Sequence, residues 1–209
     1  MIFGNLGIEI IVLLIPALVF SLSFHEFAHA WMAFRLGDST AARLGRLTLN
    51  PIAHLDPVGS IALLLMGFGW AKPVPVDMRY LSNPKKDMVK VAAAGPLSNL
   101  LLAVVAALCL RFMFSTGLMN GQIKSFIIIF MQINITLAVF NLLPVSPLDG
   151  SQILSPFIEK NFGIDMVYKM EMYGPRILFF IIIFSMFTGI HIFSFIITPI
   201  FNFFLFIFF

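Results

Sequence analysis

The first apolar run of the chain reads IIVLLIPALVFSLSFHEFAHAWMAF, from Ile10 to Phe34. Its first half carries no charge, and the run has the length of a helix that crosses a bilayer, which needs about 20 apolar residues. Three ionisable side chains follow within it: His25, Glu26 and His29. Ionisable groups at membrane depth are costly and usually functional. The run therefore predicts a transmembrane helix that carries chemistry inside the membrane.

The composition indicates a membrane protein. Of the 209 residues, 60% are hydrophobic and 11% are charged, and the mean hydropathy is +1.00. We expect an all-α polytopic membrane protein with about four to six transmembrane helices and a short re-entrant or interfacial segment. We expect one membrane domain over residues 1–209. The net charge of +3 predicts no nucleic-acid partner, because Lys and Arg lie in membrane-flanking loops.

Four apolar runs are long enough to span a bilayer: Ile8–Phe34, Val91–Phe114, Ser125–Val145 and Ile177–Phe209. A fifth run, Val58–Trp70, is too short and glycine-rich, which favours a re-entrant or interfacial piece. The last run is longer than one bilayer requires. It could tilt, kink near Pro199, follow the surface, or break at Gly189 into two segments.

Loop charges predict the orientation. If the N-terminus lies outside, all but Arg111 and Lys124 of the 13 lysines and arginines lie on the cytoplasmic side. The opposite orientation would invert that ratio. We therefore expect the two histidines of the first span to lie toward its cytoplasmic end.

The pentapeptide His25-Glu-Phe-Ala-His29 predicts a zinc site. Imidazoles four residues apart share one face of a helix and can chelate one ion, and Glu26 can act as general base on zinc-bound water. The alternative is a histidine pair that merely packs in a bundle. The chain has only four His, which makes a chance match of this pattern uncommon.

A catalytic zinc site usually takes three protein ligands and a water, so a third ligand is needed. The candidates are His54, His191, Asp149, Glu159, Asp165 and Glu171. Asp149 is favoured because it ends the third span, on the same predicted side as the histidines. Pro144 and Pro147 cannot continue a helix there, and unwound backbone at membrane depth must line a cavity or be buried. The alternative is an exposed Asp-Gly turn.

These motifs together resemble the site-2 protease family of intramembrane zinc metalloproteases, in its short, minimal prokaryotic branch. The resemblance rests on HEFAH at 25–29, LNPIAHLDP at 49–57, AKPVPV at 71–76, AGPLSN at 94–99 and NLLPVSPLDG at 141–150. The motifs occur in the family's order within about Ser23–Leu154, the core of the predicted domain. The C-terminal segment at about 177–209 adds only hydrophobicity. The chain has no room for the PDZ or CBS domains of longer members.

The resemblance implies a role for each matching residue. His25, His29 and Asp149 would bind one zinc per chain, and Glu26 would activate water. Asn141 matches the asparagine that holds the substrate backbone, a task that suits an amide. A hydrogen bond between helices is an equally good interpretation of Asn141.

Other predicted site residues carry weaker signals. Asn99 could line the site and bind substrate, or it could cap or pack the start of the second span. His54 could approach the metal or an oxyanion, although we favour a role in satisfying the backbone of its own loop. The stretch Lys72–Val76 could pair with an unwound substrate or be a plain surface loop. His191 is interpreted as a bundle histidine.

The predicted function is an intramembrane metalloendopeptidase that cuts transmembrane protein substrates in the lipid bilayer of a prokaryotic plasma membrane. The alternative is a non-hydrolytic metal-binding membrane protein, such as a zinc transporter or a pseudoprotease adaptor, which would not need Glu26. A third possibility is a soluble-type HExxH protease whose third ligand is Glu159 or Glu171.

Overall fold

The computed structural model describes residues 7–66, 69–118, 120–190 and 192–208. Over these residues the chain forms eight α-helices: α1 Ile8–Arg35, α2 Thr40–Arg43, α3 Pro57–Met66, α4 Pro84–Thr116, α5 Gly121–Asn141, α6 Asp149–Phe162, α7 Ile164–Thr188 and α8 Ser194–Phe208. Four of them, α1, α4, α5 and α7, are long and apolar enough to cross a membrane, and α8 is a shorter apolar helix. The predicted all-α membrane fold is confirmed.

Three helices, α1, α4 and α5, pack against one another and form the centre of the molecule. Their buried faces are rich in small residues: Ala17, Ala30 and Ala33 of α1, and Ala103, Ala106 and Ala107 of α4. Small side chains let helices approach closely in a membrane, where packing drives association. Met131 and Ile135 of α5 fill the space beside the alanines of α4. The central bundle is therefore tight enough to fix side chains that point into it.

The second and third spans differ from the apolar runs at their site-facing ends. Helix α4 begins at Pro84, before the apolar run, with proline in its first turn, where a missing N–H costs nothing. Helix α5 ends at Asn141, before Pro144 and Pro147. The chain is then non-helical until Asp149 begins α6. The predicted unwinding at the two prolines is confirmed.

The C-terminal apolar run is divided between two helices. Helix α7 begins well before the run and ends at Thr188, followed by Gly189 in a left-handed conformation with φ 71°. Helix α8 begins at Ser194. Of the alternatives for this run, the break at Gly189 is the one found. His191 lies outside the described residues.

The described parts of the short run, residues 58–66 and 69–70, form an excursion whose two ends lie against each other. Helix α3 leaves from Pro57, and the chain returns so that Leu55 and Ala71 form an antiparallel bridge. Gly59 and the Gly69–Trp70 backbone touch, and a Cβ at Gly59 would lie 3.0 Å from the amide nitrogen of Trp70. Leaving and returning at one place is what a re-entrant segment does. The excursion delivers the extended stretch 71–77 to the site.

Candidate metal centre

Three predicted ligands meet at one point between α1 and the start of α6. Nε2 of His25 lies 3.0 Å from Nε2 of His29. Oδ2 of Asp149 lies 3.2 Å from the first nitrogen and 3.4 Å from the second. Among the described residues, these are the His, Cys, Asp or Glu side chains whose ligand atoms are grouped for a metal ion.

The hydrogen bonds at Nδ1 of both imidazoles determine whether their Nε2 atoms can bind a metal. Nδ1 of His25 lies 2.6 Å from Oδ1 of Asn99, and Nδ1 of His29 lies 2.7 Å from the carbonyl oxygen of Val91. Because both partners are acceptors, each Nδ1 carries the proton and donates. Each Nε2 therefore presents a lone pair to the other and to Asp149, whose Oδ2 is buried without a hydrogen-bond partner. Three converging acceptors without a donor fit a cation.

Glycine at position 95 makes room for this centre. A Cβ there would lie 2.6 Å from Nε2 of His25 and would collide with Nε2 of His29. Gly95 is buried in the first half of α4, so the helix backbone itself forms the floor of the ligand cluster. A larger residue would fill the volume that the ion requires. The space, like the donor set, fits a bound metal.

Asp149 reaches the histidines because the chain doubles back after α5. A Cβ at Gly150 would collide with the carbonyl groups of Leu142 and Leu143. Glycine at this position lets the first turn of α6 lie directly on the unwound stretch that follows Asn141. The carboxylate of Asp149 is thereby turned toward α1. The Asp-Gly pair is part of a docked helix start and not an exposed turn.

A cavity of about 370 Å³ opens beside the three ligands. Its walls come from α1, α4, the end of α5, the start of α6 and the extended stretch, and include Glu26, Trp70, Ala71, Pro73, Val74, Val76, Met88, Val91, Ala92, Asn141, Pro147, Leu148 and Gln152. Glu26 is half-buried in this wall and is not one of the grouped ligands. A carboxylate beside the metal position, but free of it, can exchange a proton with water in the cavity.

Asn141 also lines the cavity, at the last residue of α5. Its Nδ2 donates to the carbonyl oxygen of Leu137 in the same helix, at 3.0 Å. A hydrogen bond from Asn141 to another helix is not found in the described part of the chain. Its substrate-binding role stays a prediction.

Asn99 lies behind His25 and away from the cavity. It is fully buried, and its oxygen is bonded to the imidazole. The interpretation as a helix cap is wrong, because α4 begins at Pro84 and Asn99 lies in its interior. Direct substrate binding by Asn99 stays a prediction, but its burial and its partner favour a different role.

His54 is found in neither the ligand cluster nor the cavity wall. It is 1% exposed, and its Nε2 lies 2.7 Å from the carbonyl oxygen of Thr48 in its own loop. Its carbonyl oxygen accepts from the amide of Lys72 at 2.8 Å. These contacts agree with the loop interpretation; binding of substrate by His54 remains untested.

The three acidic candidates other than Asp149 are not grouped with the histidines. Glu159 lies 2.7 Å from Nζ of Lys85, and Asp165 and Glu171 are exposed on α7. The possibility of a glutamate as third ligand therefore loses its geometric basis in the described residues.

Sequence reasoning missed four residues. Val91 and Gly95 contact the histidines directly, and Asn134 and Ser21 accept hydrogen bonds from Nδ2 of Asn99 behind His25. In the sequence, Gly95 stands out only as part of the AGPLSN motif. Ser21 lies one helical turn before His25, a spacing that could have indicated it. Asn134 is an amide inside an apolar span, where a polar residue usually faces the bundle interior. Val91 contributes only its backbone carbonyl, which no sequence pattern identifies.

Comparison with known proteins agrees with this geometry. The chain matches Peptidase family M50 over residues 13–122 and 113–185. Three of its relatives carry the name "Putative zinc metalloprotease": YwhC of Bacillus subtilis, Rip2 of Mycolicibacterium smegmatis and MJ0611 of Methanocaldococcus jannaschii. No solved structure matches this chain significantly.

The similarity to these relatives extends over most of the chain. YwhC is 42% identical over 77% of this chain and 75% of its own length, and MJ0611 is 30% identical over 80% and 83%. Rip2 is 31% identical over 72% of this chain and 59% of its own length, so the chain spans less than two thirds of that relative. With its grouped His25, His29 and Asp149, the chain belongs to Peptidase family M50, the site-2 protease family of zinc metalloproteases.

Proposed function

We propose that this protein is an intramembrane zinc metalloendopeptidase that hydrolyses peptide bonds in or near transmembrane segments of membrane proteins. One observation carries the proposal: three bare acceptor atoms converge beside Glu26, and two of them belong to α1, a helix long enough to span a bilayer. A zinc transporter or adaptor would use the ligands but would have no need of Glu26. We propose that residues 1–209 act as one membrane domain, with the core motifs at 23–154.

In this proposal His25, His29 and Asp149 hold one zinc ion per chain. Bound zinc would polarise the substrate carbonyl and lower the pKa of water toward 7. Glu26 accepts the proton of the attacking water and then gives it to the departing amine nitrogen. Asn141 donates or accepts a hydrogen bond at the substrate backbone and so holds the peptide across the cavity.

The extended stretch 71–77 is the part of the wall best suited to an unwound substrate. Its ends are held: the amide of Lys72 donates to the carbonyl of His54 at 2.8 Å, and the amide of Asp77 donates to Oδ2 of Asp38 at 2.7 Å. Pro73 and Pro75 lack an N–H, so the stretch cannot be a central strand. We propose that it pairs with the substrate as an edge, because a helix must unwind before its amides are accessible.

The cavity opens at the end of the bundle where α1 and α5 end and α4 begins. Eight of the 13 lysines and arginines fall within residues 35–90, between the last residue of α1 and the first turns of α4 at that end. By the positive-inside rule we propose that this end faces the cytoplasm of a prokaryotic cell. Water and the cleaved product would then exchange with the cytoplasm.

Metal removal tests the proposed reaction. We expect purified protein to contain one zinc per chain and to cut a transmembrane peptide within its apolar segment, as located by mass spectrometry. A chelator should abolish cleavage, and added zinc should restore it.

His25→Ala and Asp149→Ala provide the matched variants for this test. Neither should bind zinc or recover activity when zinc is added. Undiminished zinc in Asp149→Ala would remove Asp149 from the site. Cleavage that survives complete loss of zinc would contradict the metalloprotease proposal.

A further inference from the structure

A chain of buried polar side chains runs from His25 into the centre of the bundle. Asn99 of α4, Asn134 of α5 and Ser21 of α1 are each fully buried. Nδ2 of Asn99 donates to Oδ1 of Asn134 at 2.9 Å, and Nδ2 of Asn134 donates to Oγ of Ser21 at 2.8 Å. Each of the three central helices thus contributes one side chain to a single hydrogen-bonded path, which ends on His25, a proposed metal ligand.

The direction of every hydrogen bond in this path is fixed by backbone carbonyls. Oγ of Ser21 donates to the carbonyl of Ala17 at 2.7 Å, so it can only accept from Asn134. Nδ2 of Asn134 also donates to the carbonyl of Phe130 at 2.8 Å. The oxygen of Asn134 must then face Asn99. The backbone cannot reverse its carbonyls, so the amide of Asn134 cannot flip without leaving donors and acceptors mismatched.

The same logic continues to the imidazole. Nδ2 of Asn99 faces Oδ1 of Asn134 and, at 3.3 Å, the carbonyl of Ser21. Its Oδ1 is therefore turned to Nδ1 of His25, which must carry a proton. If Asn99 flipped, its amide group would face Nδ1, and the proton of a neutral imidazole would move to Nε2. That nitrogen could then no longer bind a metal.

We infer that Asn99 and Asn134, supported by Ser21, are positioning residues that hold His25 in its metal-binding tautomer. The inference rests on the proposed zinc site. It adds that side chains outside the ligand cluster select the tautomer of a ligand. Groups that orient a ligating histidine typically change metal affinity about 10- to 100-fold when removed.

The competing role is adhesion between helices, since buried amides often join helices in membranes. Adhesion requires only that the amides be paired. It does not require that their direction agree with a histidine tautomer, and it predicts a loss of stability with an unchanged imidazole. The two roles therefore differ in what happens to the proton on His25.

The first measurement is zinc affinity of the purified full chain, by competition with a chelator. Asn99→Leu should weaken zinc binding about 10- to 100-fold, and Asn134→Leu should weaken it several-fold. Asn99→Asp should bind zinc more tightly than Asn99→Leu, because one carboxylate oxygen still accepts from Nδ1 although the donation to Asn134 is lost. Unchanged affinity in both leucine variants would overturn the inference while leaving the zinc site intact.

Ser23 provides a matched control for Ser21. Both side chains are buried on α1 and donate to the carbonyl four residues earlier, but only Ser21 accepts from Asn134. Ser21→Ala should weaken zinc binding measurably, and Ser23→Ala should not. Equal effects of the two substitutions would indicate packing and contradict the positioning role.

The second measurement reads the tautomer directly in metal-free protein. The chain has four His, so ¹⁵N-labelled histidine gives few ring signals, and His25→Gln assigns the one of interest. We expect Nδ1 of His25 to be protonated in the native chain and a mixture of tautomers in Asn134→Leu. A pure Nδ1–H signal in Asn134→Leu would refute the inference. Failure of the native chain to bind zinc would instead count against the proposed function.

Discussion

At the residue scale, the centre is defined by three acceptor atoms that face one another without a hydrogen-bond donor. The outward nitrogens of His25 and His29 have acceptors, whereas their inward nitrogens and Oδ2 of Asp149 face one another within 3.0 to 3.4 Å. Acceptors at this separation repel unless a cation lies between them. Glu26 faces the cavity without joining the group, which leaves its carboxylate available for a proton.

Gly95 gives the residue-scale prediction. Gly95→Ala should reduce bound zinc to below about a tenth, because the new methyl group would occupy the space beside both Nε2 atoms. Helix content should persist, since alanine is the better helix former. Elemental analysis and circular dichroism measure the two effects.

Gly121→Ala is the matched control, because a Cβ there meets nothing within 4 Å. It should retain full zinc. Normal zinc content in Gly95→Ala would contradict the close contact between α4 and the ligands.

At the element scale, the sequence predicted what depends on local spacing. A histidine pair four residues apart shares a helix face wherever the helix is placed, and two prolines end α5 in any context. The contact of Gly95 with the histidines depends instead on how α1 crosses α4. Local sequence contains no information on that crossing, so this role could not be predicted.

Asn99 shows the same limit at a helix boundary. The charged residues Lys85, Lys86 and Lys90 suggested a loop before the apolar run, but they form the first turns of α4. Hydropathy alone cannot distinguish the polar first turns of a helix from a loop, because both lie outside the apolar run. The interpretation of Asn99 as a helix start rested instead on Gly95 and Pro96 before it, whereas Pro96 lies within α4 and Asn99 bonds His25 from the helix interior.

The extended stretch gives the element-scale prediction. Asp38 is fully buried and accepts from the amides of Thr40 and Asp77 at 2.9 and 2.7 Å. In Asp38→Asn one amide would face an NH₂ group, and an unsatisfied buried donor costs about 1–3 kcal/mol. We expect KM for a transmembrane peptide to rise about 5-fold or more, with zinc content unchanged. Steady-state kinetics and elemental analysis measure both.

Arg79→Ala is the control for this variant. Hydrogen bonds from Arg79 lower the pKa of Asp77 to about 2, but the Arg79 side chain is 85% exposed and such surface pairs contribute little. Its KM should stay at the native value. An unchanged KM in Asp38→Asn would argue that the stretch 71–77 is only a surface loop.

At the scale of the whole molecule, the site lies where three spans change from bundle to connecting segments. Helix α1 supplies two of the grouped side chains near its end, α4 supplies the floor near its start, and the first residue of α6 supplies the third grouped side chain. This arrangement places the ionisable side chains toward one end of the helix bundle, which in our proposal lies near one membrane surface. Water can then reach the site without a path through the whole membrane.

Cysteine labelling tests which surface that is. In a Cys109→Ala background, single cysteines replace Thr116 and Ser82, both of which are exposed. Thr116 is the last residue of α4, and Ser82 lies just before the helix begins. The charge distribution predicts that an impermeant reagent added outside reaches only position 116. Labelling of position 82 alone would reverse the topology and place the metal centre near the outer face.

The central claim is that this membrane-embedded zinc centre hydrolyses peptide bonds, and Glu26→Gln tests it most directly. Glutamine keeps the shape and removes the proton acceptor, and Glu26 is not a metal ligand, so zinc should remain at one per chain. Cleavage of a transmembrane peptide by the purified variant should fall on the order of 10²- to 10⁴-fold. Native turnover in the zinc-loaded variant would contradict the account.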